Sequence, residues 1–187
     1  MSSQAGYTSI EMAAQQLHLS TATVIQWLAA QVLLSRQTPN QIPEVFSGSI
    51  QSFLEERTRL PIIDPVATDV LKVVIVEDDL DLTKLLEMTI HSFDFKTQIL
   101  SATNGFSGLA LLSEYKPDIL IADLNMPVMD GFRMLKAIEG TELSPKKIIV
   151  ATALSPEDLD SRGGVPSMAK LIRKPFALSE LETLLRS

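Results

Sequence analysis

From residue 71 onward, short apolar runs alternate strictly with stripes at helical spacing, and few folds accept that pattern. Leu71-Lys72-Val73-Val74-Ile75-Val76 is a β-branched run, as a strand buried on both faces requires. Leu82, Leu85, Leu86, Thr89 and Ile90 then recur with the period of a helix. Thr97 to Leu100 predicts a second strand, and Gly105 to Tyr115 a helix that Pro117 terminates. Asp118 to Ala122, Lys147 to Ala151 and Lys170 to Arg173 predict three more strands. Met134, Leu135 and Ile138 stripe a helix ending near Gly140; further helices are expected from near Ser155 and from Ser179 to Arg186. Strands separated by helices pair in parallel, with right-handed crossovers that cover both faces of the sheet. The expected fold class is therefore α/β, a flavodoxin-like doubly wound five-stranded parallel sheet.

Such sheets bind ligands beyond the carboxyl ends of their strands, so the residues that follow each strand carry the chemistry. The first strand runs into Glu77-Asp78-Asp79, the third into Asp123, the fourth into Thr152 and the fifth into Lys174-Pro175. Clustered carboxylates repel one another, and a hard divalent cation such as Mg²⁺ relieves the repulsion. A carboxylate can also attack phosphorus to give an acyl phosphate, for which positioning and charge stabilisation are the main requirements. A hydroxyl and an ammonium suit the phosphoryl oxygens. Asp79, beside the pair, reads as a carboxylate at a helix N-terminus.

These residues carry a resemblance. Val76-Glu77-Asp78-Asp79, the run Asp118 to Gly131 with its Asp-x-x-Met-Pro-x-Met-Asp-Gly pattern, Ala151-Thr152-Ala153 and Lys174-Pro175-Phe176 together resemble a response-regulator receiver domain over residues 71–187. The resemblance implies that Asp123 is phosphorylated by a histidine kinase or a histidine phosphotransfer protein. It implies Mg²⁺ held by Asp78, Asp123 and the backbone carbonyl of Asn125, with Glu77 acting through water. Lys174 would pair with the phosphoryl oxygens, Thr152 would donate to one of them, and the Lys174–Pro175 bond would be cis. Receivers usually place an aromatic residue three positions before the lysine; here Leu171 stands there.

Ahead of this region lies a different pattern. Pro61-Ile62-Ile63-Asp64-Pro65 forbids regular helix and reads as a linker, which divides the chain into residues 1–60, a linker at 61–70 and residues 71–187. Thr8-Ser9-Ile10-Glu11 fits a capping box opening a helix to Leu17; a turn at His18 and a second helix from Ser20 or Thr21 to Ala30 follow. A third helix is expected from Ser47 to Arg59. With Ala14, Val24 and Trp27 as its packing positions, the segment is expected to be a small, mainly α helix-turn-helix module. The runs Tyr7 to Ala14, Leu17 to Ser20, Thr23 to Leu28 and Ile42-Pro43 resemble the excisionase or MerR-like winged helix-turn-helix. That resemblance implies DNA binding and points to Thr21, Thr23, Gln26 and Arg36 as the contacting residues.

Charge bears on that implication. Residues 1–64 hold three Arg against five acids, and the whole chain has a net charge of −7, so no basic block marks a nucleic-acid surface. The absence of cysteine excludes disulfides and thiol chemistry, and no apolar run is long enough to span a membrane. A cytoplasmic location is expected. The sequence thus supports a non-enzymatic, two-component response regulator with a DNA-binding output controlling transcription. The alternative is one whose N-terminal module is a protein-docking or dimerisation adaptor. A phosphatase-like enzyme of the same carboxylate chemistry is the third reading. Expected partners are the phosphodonor protein, DNA, and a second copy of the chain.

Overall fold

The computed structural model describes residues 6–61 and 70–187, so most of the expected linker lies outside the described residues. The N-terminal segment runs β1 (Tyr7–Thr8), α1 (Ile10–Leu17), α2 (Thr21–Ala29), β2 (Ser35–Gln37), β3 (Pro43–Phe46) and α3 (Ser47–Thr58). The rest runs β4 (Leu71–Val76), α4 (Leu80–Ser92), β5 (Thr97–Ala102), α5 (Gly105–Tyr115), β6 (Ile119–Ala122), α6 (Gly131–Ile138), β7 (Lys147–Thr152), α7 (Pro156–Ser161), β8 (Ala169–Arg173) and α8 (Leu178–Arg186).

The second group forms a parallel sheet in the order β5-β4-β6-β7-β8, the flavodoxin-like arrangement expected. Because side chains alternate across a strand, Val73 and Ile75 enter the core on one face while Val74 and Val76 enter the other. Leu86, Ile90, Leu181 and Leu185 cover the first face from α4 and α8. Leu85, which the spacing places in the α4 stripe, is 49% exposed instead; Thr83, Leu86, Thr89 and Ile90 are buried, with Leu82 packed partly buried beside them.

The opposite face is covered by α5 and α6, and its apolar cluster does not stop there. It continues without a break into the N-terminal segment through Phe53 and Trp27, both fully buried. Trp27 packs edge-on against Phe53 at 4.7 Å between centroids, and Phe53 meets Phe106 of α5 at 5.6 Å and 88°. Edge-to-face aromatic pairs contribute about 0.5–1.5 kcal/mol beyond the area they bury. Polar links rim this seam: Ser107 donates to Glu56, and Arg57 pairs with Glu114. The N-terminal segment is thus packed on α5 and α6 as well as tethered to them in sequence.

Local chemistry explains the α1–α2 helix pair and corrects one detail of it. Ser9, not Thr8, caps α1 by accepting the Met12 N–H at 3.3 Å. Thr8 is unavailable because its backbone pairs with Val45 in the β1–β3 ladder. His18 ends α1 in the left-handed region (φ 56°), a conformation His tolerates better than most residues. Ser20 caps α2 by accepting the Thr23 N–H. The segment is less purely helical than expected, because β1, β3 and β2 form a three-stranded antiparallel sheet in that order. Strands of two to four residues are too short for alternation to register in sequence.

Candidate functional site

Parallel pairing brings the ends of β4, β6, β7 and β8 to one edge. The Glu77 N–H bonds the Ala102 carbonyl, the Asp123 N–H bonds the Val76 carbonyl, and the Lys174 N–H bonds the Thr152 carbonyl, each at 2.9 Å. With the β6–β7 ladder, which pairs Ala122 with Val150, the backbone fixes the four strand ends relative to one another. The Lys174–Pro175 bond is cis, as the resemblance implies.

Glu77, Asp78 and Asp123 converge so closely that one oxygen from each lies within 4.8 Å of the others. Glu77 and Asp123 are buried, whereas Asp78 is exposed at the mouth of the site. The Lys174 ammonium sits between the two buried carboxylates, 2.6 Å from Glu77 Oε2 and 3.3 Å from Asp123 Oδ1. Burial pushes the Glu77 carboxyl above its usual range; the hydrogen bond and charge of Lys174 oppose that, and the Asp123 charge adds to it. Asn125 donates its backbone N–H to Asp123 Oδ2 at 3.1 Å, which fixes the carboxylate's orientation. Thr152 is fully buried and its Oγ1 accepts the Leu154 N–H at 3.2 Å, so its own proton remains for donation. Asp79 caps α4 by accepting from Asp81 and Leu82 at 2.9 and 3.1 Å, the helix-terminal role read for it.

This donor set fits a hard divalent cation. Three carboxylates each offer an oxygen, two of them held in place by the fold and one open to solvent. Glu77→Gln combined with Asp78→Asn is expected to weaken Mg²⁺ binding by at least about tenfold, since even outer-shell losses commonly cost about 10–100-fold. Calorimetric titration of the wild type and the double variant checks this; equal affinities would contradict the assignment.

The polar residues read as DNA contacts fall elsewhere. Thr21 is exposed at the start of α2. Thr23 is fully buried and donates to Glu142 Oε2 at 2.5 Å, and Gln26 donates to the Lys136 carbonyl at 2.6 Å. Both turn toward the α6 region. Arg36 lies on β2, where two of its nitrogens donate to Glu44 Oε2 at 2.9 and 2.8 Å and its guanidinium stacks 4.2 Å over Tyr7. The four residues therefore do not share one open surface. Sequence reasoning missed Arg133 and Glu142, whose side chains reach back to α2; neither stands in a motif, and only the packing of α2 on α6 reveals them.

A doubly wound sheet with an acidic triad, a buried hydroxyl and a lysine at its carboxyl edge defines the receiver class of signalling domain. Residues 73–186 match the family model described as "Response regulator receiver domain", and the chain belongs to that family. It is 31% identical over 119 residues to a "Probable chemotaxis protein CheY" of Rhizobium etli, a match covering 63% of this chain and 91% of that protein. A second relative, a protein-glutamate methylesterase/protein-glutamine glutaminase of Myxococcus xanthus, is 28% identical over 109 residues, 58% of this chain but 31% of its own length. Among solved structures, the Vibrio cholerae chemotaxis protein CheY4 superposes with a TM-score of 0.50 at 26% identity, covering 63% of this chain and 98% of its own. The receiver domain of a Pseudomonas aeruginosa sensor histidine kinase, described with a magnesium ion in its active-site cleft, gives a TM-score of 0.55 at 20% identity. It covers 62% of this chain and 94% of its own, and at that identity shows the fold alone. The family match begins beyond the N-terminal segment. No helix of the described residues is long and apolar enough to cross a membrane.

Proposed function

We propose that the chain is a response regulator in which Asp123 accepts a phosphoryl group from the phosphohistidine of a histidine kinase or phosphotransfer protein. In this reading the N-terminal winged helix-turn-helix, of excisionase or MerR type, is a DNA-binding output. The carrying observation is the convergence of Glu77, Asp78, Asp123, Thr152 and Lys174 at one sheet edge. A carboxylate oxygen of Asp123 forms the new O–P bond as the donor's P–N bond breaks, and the electron pair leaves on the imidazole. Lys174, already within 3.3 Å of Asp123, is placed to pair with a phosphoryl oxygen. Thr152 can donate its proton to another. Mg²⁺ held by Asp78, Asp123 and the Asn125 carbonyl, with Glu77 nearby, supplies further neutralisation of the transferred charge. The module boundary within residues 61–70 is part of the same proposal.

Support for the DNA-binding output is the α1-turn-α2 pair followed by the β2–β3 hairpin as a wing. One observation favours the adaptor reading instead. The solvent face of α2 carries Ala22, Ile25 and Ala29, with Ile25 55% exposed, and the helix holds no charge. The two readings separate by salt. A DNA-binding output should bind genomic duplex fragments more tightly after treatment of the full chain with a small acyl phosphate and Mg²⁺, with an affinity that falls steeply as salt rises. An absence of duplex binding at low salt, before and after confirmed phosphorylation, would leave the adaptor reading.

A further inference from the structure

The receiver grips α2 at both ends. At its N-terminus, Glu142 accepts three hydrogen bonds: Ser20 N–H to Oε1 at 2.8 Å, Ser20 Oγ to Oε2 at 3.0 Å and Thr23 Oγ1 to Oε2 at 2.5 Å. At its C-terminus, Arg133 donates to the Gln31 carbonyl at 2.7 Å and to the Ala30 carbonyl at 3.4 Å. Between them Gln26 donates to the Lys136 carbonyl. A helix carries partial positive charge at its first turn and partial negative charge at its last, so an anion before α2 and a cation after it is the favourable order. Helix α2 has no acid in its first turn and no base in its last, and the receiver supplies both. Partial burial acts to raise the Glu142 carboxyl, but the Thr23 hydroxyl and the Ser20 N–H outweigh it and hold the group at about 2. Glu142 is therefore a carboxylate at neutral pH.

We propose that Arg133 and Glu142 form a charge clamp that holds α2 on the receiver and masks the donors through which α2 would meet a nucleic-acid phosphate. The masking half rests on reading α2 as the DNA-facing helix. In that geometry the N-terminal residues of the second helix face the groove and the phosphate backbone. Ser20 and Thr23 stand at that end, and a carboxylate already uses their donors. A phosphodiester must displace Glu142 to reach them, and Thr23 is fully buried while Glu142 is in place. The clamp is also close to the acceptor. Arg133 is in α6, which starts at Gly131, and the Gly131 N–H bonds the Leu124 carbonyl directly after Asp123.

The test uses the full chain as wild type, Glu142→Ala, Arg133→Ala and the double variant. Hydrogen exchange is read peptide by peptide, and binding of a mixed-sequence duplex of about 30 base pairs is read by anisotropy at low salt. Exchange in β4, β6 and β7 reports whether the fold persists, and phosphoryl uptake serves as an independent control that these substitutions leave unchanged. Exchange in α2 of the double variant should quicken by about tenfold or more, with the sheet unaffected, and duplex binding should strengthen by a similar factor. Wild-type exchange in α2 of the double variant would overturn the clamp. Faster exchange in α2 without any gain in duplex binding would uphold the clamp but overturn the masking and the DNA-binding reading with it.

Discussion

Asp123→Asn should take up no phosphoryl group from a small acyl phosphate or a cognate kinase, while the wild-type chain gains one. The substitution removes the nucleophilic oxygen charge and leaves the shape of the site nearly unchanged. Asp123 lies almost wholly inside the protein, with its carboxylate oriented by the Asn125 N–H and faced by Lys174. An amide keeps the volume but is a far weaker nucleophile toward phosphorus. Intact-mass measurement of both proteins in Mg²⁺ reads the outcome directly. Equal uptake by the variant would place the acceptor elsewhere, and no uptake by either protein would remove the phosphoacceptor reading itself. The change should leave the fold intact, because Lys174 keeps its 2.6 Å contact to Glu77.

Gly131→Ala should be the most destabilising small substitution in the acceptor loop, at about 3 kcal/mol or more. A Cβ on Gly131 would stand 2.1 Å from the Asp123 carbonyl oxygen and 2.9 Å from the Leu124 Cα. Both are backbone atoms, so no side-chain rotation relieves the clash. The chain must instead move β6 relative to α6, and that shift reaches the acceptor carboxylate and Arg133 together. Gly140→Ala is the control. Gly140 has φ +69° and open space around its missing Cβ, so only the left-handed backbone penalises alanine, by roughly 1 kcal/mol. Urea midpoints at constant slope compare the two variants. A Gly131→Ala protein no less stable than Gly140→Ala would mean that the approach of α6 to Asp123 is looser than these distances.

The replacement of the usual aromatic residue by Leu171 takes on a structural meaning beside these predictions. Leu171 is 40% exposed on the edge strand β8, opposite Val150. The N-terminal segment is held by Phe106 and Glu114 of α5 and by Arg133 of α6. A contiguous route from Asp123 to that segment runs through Gly131 and α6.

The acceptor edge is legible in the sequence because each of its residues stands at the end of a predicted strand, and strand direction alone decides which end of the strand faces the site. Glu77, Asp123, Thr152 and Lys174 need no further information to be brought together. The pairing of Lys174 with Glu77 is a different matter. Both residues are visible, but which carboxylate the ammonium prefers depends on burial that periodicity does not report. The helix pair α1–α2 is legible for the same local reasons: Ser20 is a cap, His18 accepts left-handed geometry, and Val24 and Trp27 share a face. The cap of α1 is misassigned by one residue because a two-residue strand claims Thr8, and so short a strand has no period of its own.

The features that the residues specify on their own are local or periodic. The five-stranded parallel sheet, the residues at its carboxyl edge and the α1–α2 helix pair follow from hydrophobic spacing, caps and strand direction, which act within a few residues. Where the N-terminal segment sits, and what its polar residues do, depend on long-range packing. Thr23 and Gln26 have the chemistry of groove contacts, yet Thr23 meets Glu142 across 119 positions and Gln26 meets the Lys136 carbonyl across 110. The physical reason is that Trp27, Phe53 and Phe106 join two hydrophobic surfaces into one core. The burial of those rings fixes the face of α2 that turns inward, and the hydroxyls and amide on that face must then find partners on the receiver.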